Sequence, residues 1–326
     1  MTASPGTAPV DPQRGMLRRL TGASWFGDVA IVFAFIALML VGGLLSDVFL
    51  TPRNLTSIAV ASSILIVVAI GQTLVIITAG IDLSVGSLMM LSGVMVGVAV
   101  KNDLGVPVGI VMGIGAAAAL GAVNGLVITK GKISDFIATL GMMSIALGIG
   151  QVISGARPVT IIDAGMTALA TGSLGPFRWI VLVSVVVAVV AHILLFNTRF
   201  GTYLLATGGN FEGSRDLGIR VDSVKVRAYL ISGTLAGLGG VMLTSRIGSA
   251  EPTAGPPYLL TAIAATVLGG VSLFGGRGTI LGPVIGALIL TALLNLMTIL
   301  GVGVLFQPIV VGIVVIGFAI AYRFRQ

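Results

Sequence analysis

Long apolar stretches separated by short polar ones run through almost the whole chain. IAVASSILIVVAIGQTLVIITAG (58–80) and WIVLVSVVVAVVAHILLF (179–196) contain no Asp, Glu, Lys or Arg. They reach or approach the ~20 residues that cross ~30 Å of hydrocarbon as a helix. Runs of this kind predict ten helices, near 29–46, 58–79, 84–100, 107–128, 136–153, 179–196, 228–246, 258–273, 279–299 and 305–322. Gly and Pro interrupt several of them and soften the boundaries. Backbone groups in lipid must bond internally, so the expected fold is all-α, a polytopic membrane helical bundle.

Composition supports this. Hydrophobic residues make up 56% of the 326, charged residues 9%, and the mean hydropathy is +1.13, which leaves too little polar surface to wrap a soluble domain. Residues 1–27, with Pro5, Pro9 and Pro12, read as a disordered cytoplasmic segment, and 28–326 as the transmembrane domain. Arg14, Arg18 and Arg19 precede the first run, which is longer than a signal-peptide core and lacks a small-x-small cleavage site, so it is taken as an uncleaved helix.

With the N-terminus inside, thirteen of the 18 basic residues fall in cytoplasmic segments. Only Arg53, Lys101, Arg157, Arg178 and Arg246 lie outside. That asymmetry has the sign of the positive-inside rule and puts both termini in the cytoplasm. It also accounts for the net charge of +7 without a nucleic-acid partner, for which no basic soluble module exists. Cysteine is absent, which removes disulfide and thiol chemistry.

Helices two to five (58–153) and seven to ten (228–322) have nearly equal lengths and start on opposite sides of the membrane, as an inverted repeat would. Glycine, at 47 residues, is about twice as frequent as usual. Small-residue spacing recurs at Gly93/Gly97, Gly109/Gly113, Gly121/Gly125, Gly233/Gly237 and Gly282/Gly286, predicting close helix–helix packing.

Polar groups within the spans are the candidates for a translocation path: Gln72, Asp82, Ser84, Asn124 and Asn295. Asp82, in GIDLSVGS (80–87), has no basic residue near it in sequence. It either caps the third helix, accepting from amides two and three residues on, or lies in a broken helix that lines a solute path. The asparagines and Gln72 serve equally as interhelical bonds or cargo contacts. His192 has no partner at a suggestive spacing.

No G-x-x-x-x-G-K-[ST] loop is present, and no paired acidic and basic set of the kind a symporter needs is evident in the spans. Energy therefore comes from a partner, or transport is passive. The longest charged loop, 197–227, holds the candidate device: NFEGSRDLGIRVDSVKVR (210–227) carries seven charged residues. Asn210 ends a turn, FEGSRDLG reads as a short helix, and Gly218 stops it.

Glu212-Gly213-Ser214-x-x-x-Gly218 resembles the E-A-A-x-x-x-G coupling loop of ABC importer permeases. FLTPRNLTSI, GIDLSVGS, NGLVITKGKISDFIATLG, TRFGTYLLATGGN, SAEPTAG and AIAATVLGGVSLFGGRGTILGPVIGAL follow the order seen in ribose-type sugar permeases of that superfamily, from about Phe49 to the C-terminus. The resemblance implies an inner-membrane importer of two permease chains, two cytosolic ATPase subunits and a periplasmic sugar-binding protein. ATP and magnesium would then be used by the ATPase, with no cofactor in this chain. Asn210, Glu212, Gly213, Ser214, Arg215, Leu217, Gly218 and Ile219 would form the coupling element: Glu212 and Arg215 give charge for specificity, Leu217 and Ile219 apolar anchors. Two departures stand out. Gly213-Ser214 replaces Ala-Ala, and Leu259-Leu260-Thr261 precedes AIAA where relatives often carry an acidic pair. Branched-chain amino acids or a sugar-like signal are alternative cargoes, and a passive channel or secondary carrier is the alternative class.

Overall fold

The computed structural model describes residues 25–161 and 163–323, so most of the segment expected to be a disordered lead lies outside the described residues. Each of the ten apolar runs forms a helix: α1 (Trp25–Leu45), α2 (Pro52–Ile77), α3 (Val85–Lys101), α4 (Val106–Gly131), α5 (Asp135–Ser154), α7 (Trp179–Phe196), α10 (Val221–Ile247), α11 (Pro257–Leu268), α12 (Leu281–Ile299) and α13 (Gln307–Arg323). Three shorter helices lie between them: α6 (Ala164–Thr171), α8 (Arg199–Gly209) and α9 (Phe211–Asp216). Six of the described helices are long and apolar enough to cross a membrane.

Local sequence sets the helix ends. Thr51 caps α2, its hydroxyl accepting from the amide of Asn54 at 3.4 Å, and Pro52 occupies the first helical position, where its missing N–H is harmless. Asp163 caps α6 through Gly165 and Met166. The eighth expected span, 258–273, is shortened to the 12 residues of α11, about 18 Å of helix. Its tail, 269–280, leaves the helix as a glycine-rich loop, since Gly270, Gly275 and Gly276 all adopt positive φ. The stretch 155–178, which carries no apolar run, holds α6 and two short antiparallel pairs, one of them joining Val159–Thr160 to Ser249–Ala250.

The packing exchanges the two halves. In the first, α3 packs on α4 and α5; in the second, α11 packs on α12 and α13. Between them, α10 packs on α4 and α3, α2 packs on α12 and α11, and α2 and α10 pack on each other. The hydroxyl of Ser92 in α3 donates to the carbonyl of Gly237 in α10, and that of Thr266 in α11 donates to the carbonyl of Ala69 in α2. Each first helix thus docks into the other half, the relation a repeat requires. The small-residue spacings lie at these contacts: Gly121 faces Gly233, Gly113 faces Ser92, and Gly286 faces Ala265. α2 is the axis of the bundle, with residues 62–77 all buried.

Candidate functional site

The charged loop folds as two helices. TRFGTYLLATGGN, read as connection and turn, forms α8, capped by Thr198, with Leu204 and Thr207 buried and Tyr203 exposed. The two glycines end this helix, and the chain turns at Asn210 instead, whose side-chain oxygen accepts from the amide of Gly213 at 2.8 Å and starts α9. That cap explains Gly213. A Cβ there would sit 2.9 Å from Asn210 Nδ2, so the alanine of the family pattern would crowd the cap. Gly218 follows with φ of +81°, a conformation open to glycine, and turns the chain into α10.

The coupling candidates divide by exposure. Leu217 is 85% exposed, and Glu212 is exposed with no ion pair among the described residues. Ser214 is buried, and Ile219 is half-buried against the main core, so these two fasten α9 to the bundle. Arg215 lies 5.2 Å over the ring of Phe211 and 3.5 Å from Asp222 of α10. Beneath α9 three backbone segments meet. The amide of Gly276 donates to the carbonyl of Ile77 at 2.9 Å, a Cβ at Gly208 would collide with that same carbonyl, and Gly276 abuts Gly209.

A polar ladder runs inward from this junction along one face of α10, at residues 222, 225, 229 and 232. Asp222 pairs with Lys130 of α4 at 3.4 Å. Lys225 Nζ lies 2.8 Å from Asp135 Oδ1, and the Tyr229 hydroxyl donates to Asp135 Oδ2 at 2.7 Å. The Ser232 hydroxyl donates to Asp82 Oδ2 at 2.9 Å. Ten residues of helix span about 15 Å, half of a bilayer's hydrocarbon. Lys225 and Asp135 form an acidic and basic pair in the first turns of α10 and α5, just before the expected spans 228–246 and 136–153, with side chains 14% and 18% exposed. They are 90 positions apart, so nothing local pairs them, although the i, i+3, i+7, i+10 spacing of polar residues on α10 was a readable signal.

Asp82 is completely buried in the break between α2 and α3. Its Oδ1 accepts from the amide of Ser84 at 3.0 Å and from the hydroxyl of Ser84 at 2.6 Å, and Asn124 Nδ2 donates to that same Ser84 hydroxyl at 2.9 Å. The capping reading is met by one amide, two residues on; α3 itself begins at Val85 without a side-chain cap. The structure therefore brings Asp82, Ser84 and Asn124 together and adds Ser232. It separates the other two candidates. Gln72 is buried within α2, and neither of its amide atoms has a partner among the described residues. Asn295 exchanges two hydrogen bonds of 2.9 Å with Asn54, clipping the start of α2 to α12. His192 lies beside Phe196, with ring centroids 4.9 Å apart and the rings tilted by 49°.

None of the five path candidates lines either of two cavities. One, of about 260 Å³, opens among Thr56, Ser57, Thr171, Arg178 and Arg246. The other has room for about 10 Å³, a single water, beside Met90, Thr244 and Glu251. Among the described residues, no group of acidic or His side chains is placed to hold a metal ion.

The sequence that folds this way is similar to those of known permeases. Residues 54–322 match the family described as branched-chain amino acid transport system / permease component. The chain is 39% identical to the ribose import permease protein of Escherichia coli K12 over 306 residues, covering 92% of this chain and 94% of that one. It is 40% identical to the ribose import permease protein of Bacillus subtilis over 281 residues, 86% and 87% of the two chains. With the autoinducer 2 import system permease protein of Yersinia enterocolitica it shares 33% over 289 residues, 88% and 79% of the two. No solved structure matches. Ten apolar helices, a capped loop helix and matches that span most of the chain lead to one conclusion: the protein belongs to the transport-system permease component family, as a membrane-spanning subunit of an ABC importer.

Proposed function

We propose that this chain translocates a sugar delivered by a periplasmic binding protein, and that a cytosolic ATPase drives it by gripping α9. Two permease chains complete the pore, ATP and magnesium are used by the ATPase, and both termini lie in the cytoplasm. The cargo class follows the names of the relatives, two of which import ribose. The observation that carries the drive is α9 itself: a capped helix presenting Glu212 and Leu217 to solvent while Ser214 and Ile219 tie it to the bundle. An unpaired exposed charge beside an apolar side chain suits a docking surface better than a plain linker.

The test is pulldown of the ATPase together with sugar uptake in cells. Glu212→Lys and Arg215→Glu should leave membrane levels normal, since the exposed Arg215–Asp222 pair is worth at most about 1 kcal/mol. A like charge at the docking surface costs several kcal/mol, so association should fall about a hundredfold or more. Gly218→Val should weaken association by straining the turn that aims α9. Unchanged association and uptake for both charge reversals would reduce the loop to a solvated connection. The isolated chain should show no ATPase activity.

A further inference from the structure

From the break after α2 into the first turn of α3 the chain reads Asp82-Leu83-Ser84-Val85-Gly86, and the break between α10 and α11 reads Glu251-Pro252-Thr253-Ala254-Gly255. An acid, a hydroxyl and a glycine recur at the same spacing, 169 positions apart. The two glycines also touch. A Cβ at Gly86 would lie 2.9 Å from the carbonyl oxygen of Gly255, and a Cβ at Gly255 would collide with the carbonyl oxygen of Gly86. Such a reciprocal contact, between halves that exchange their packing partners, places Gly86 and Gly255 at the two-fold axis. The same offset of 169 carries Ser232 onto Ser63 of α2. The helix ends follow suit: Asp222 ties the start of α10 to Lys130 near the end of α4, and Asn54 ties the start of α2 to Asn295 near the end of α12.

The two equivalent sites differ in one respect. At the first, Asp82 is fully buried and holds the hydroxyl of Ser232. At the second, Glu251 is half-buried and has no side-chain hydrogen bond or ion pair among the described residues. It borders the one-water cavity beside Met90 and Thr244. Ser63, 1% exposed, turns its hydroxyl back onto the carbonyl of Ala59 at 2.7 Å. One latch is closed and its counterpart is open, in a bundle whose two halves are built alike.

We propose that Glu251 is a positioning residue for transport: in the opposite conformation it accepts from the Ser63 hydroxyl and latches the break after α10, as Asp82 latches the break after α2 through Ser232. The inference rests on the reading of this chain as an ATP-driven importer. A buried serine can exchange its own helix's carbonyl for a carboxylate, which accepts a stronger bond. Two near-equivalent latches on opposite sides of one axis, closed in turn, make a two-state element whose balance ligand and ATPase can shift.

Because the chain has no cysteine, engineered pairs report without background. The complete transporter, this chain with its ATPase and binding protein, is compared idle and during ATP turnover. Cross-linking of Ser63→Cys with Glu251→Cys should rise under the condition in which that of Asp82→Cys with Ser232→Cys falls. Glu251→Leu should lower uptake about tenfold or more, the population change for one lost charged hydrogen bond, while Glu251→Gln keeps an acceptor and stays within about threefold. Adding Ser63→Ala to Glu251→Leu should cause no further loss. Should the Asp82→Cys/Ser232→Cys pair prevent folding, the Ser63→Cys/Glu251→Cys pair and the Glu251 variants still decide. Absence of the Ser63–Glu251 cross-link under every condition, parallel rise of both cross-links, or wild-type uptake by Glu251→Leu overturns the latch while leaving the importer intact. Lack of ATP-dependent uptake by the unsubstituted chain overturns both.

Discussion

Lys225→Met should be among the most damaging single changes outside the apolar core, and its cost should vanish when Asp135 is changed as well. The ammonium lies 2.8 Å from Asp135 Oδ1, with the two side chains 14% and 18% exposed. At an effective dielectric of about 20, opposite charges at that distance attract by about 6 kcal/mol, much of which offsets the desolvation of the two ions. Removing only the lysine leaves the carboxylate desolvated and unpaired, a loss of about 3–5 kcal/mol. Two features pull this toward the lower figure: the Tyr229 hydroxyl still donates to Asp135 Oδ2 at 2.7 Å, and Asp135 is the first residue of α5, where the helix dipole favours a negative charge. Asp135→Asn leaves the ammonium facing a neutral amide and should lose about 3 kcal/mol too. The double variant removes both charges and should lose about 3 kcal/mol, not 6, giving a coupling energy of about 3 kcal/mol. Thermal unfolding of the purified protein in detergent reads this out, with each kcal/mol worth about 2 °C for a chain of this size. A double variant displaced by the sum of the two singles, or singles that melt with the unsubstituted protein, would refute the reasoning.

Asp82→Ala should lower the melting midpoint by about 4–12 °C, because buried donors on Ser84 and Ser232 lose their acceptor at about 1–3 kcal/mol each; Asp82→Asn, which still accepts from Ser84, should lose less than half as much in the same melt. Asn295→Leu should cost about 1–2 kcal/mol through the orphaned Asn54 amide, and Asn54→Leu combined with it should cost no more, as measured by the same double-mutant comparison.

Much of the bundle was legible because lipid makes the hydrophobic pattern nearly sufficient. Every apolar run became a helix, and the small-residue spacings became contacts, since both signals are local in sequence. What stayed hidden depends on groups far apart in the chain. Asp82 has no cation near it in sequence, yet its burial is tolerated because Ser232, 150 positions away, donates to it. Lys225 reads in sequence as part of the charged loop and proves to be half-buried against Asp135, since α10 packs on α4 and brings its first turn to the start of α5. α8 escaped notice because Gly208 and Gly209, beside Asn210, argue for a turn; Gly201 and Gly208 instead permit close approach to other backbone segments. Among the path candidates, Asn295 reads identically to Asn124 in sequence and does a different job, tying helix ends together instead of completing the Asp82 cluster.

The placement of α9 gives a displacement there two routes into the bundle. The first is backbone: Asn210 caps α9 and also ends α8, whose Gly208 and Gly209 lie against Ile77 and Gly276, so the end of α8 that carries α9 rests on the last residue of α2 and on the loop before α12. The second is side chain: Arg215 reaches Asp222, from which the ladder through Lys225, Tyr229 and Ser232 leads to Asp135 and Asp82. Both routes end at residues 78–84, the break after α2, and there the backbone has no regular helix to absorb a shift by bending. A contact too tight to admit a Cβ transmits displacement instead of absorbing it, since close-packed interiors compress little. The first turn of α3, just after the break, meets the break after α10 at Gly86 and Gly255, again without room for a side chain. Movement imposed at α9 is therefore delivered to a place where the two halves touch through glycine backbone and where, on the latch proposed above, a small rotation changes which acid finds its serine.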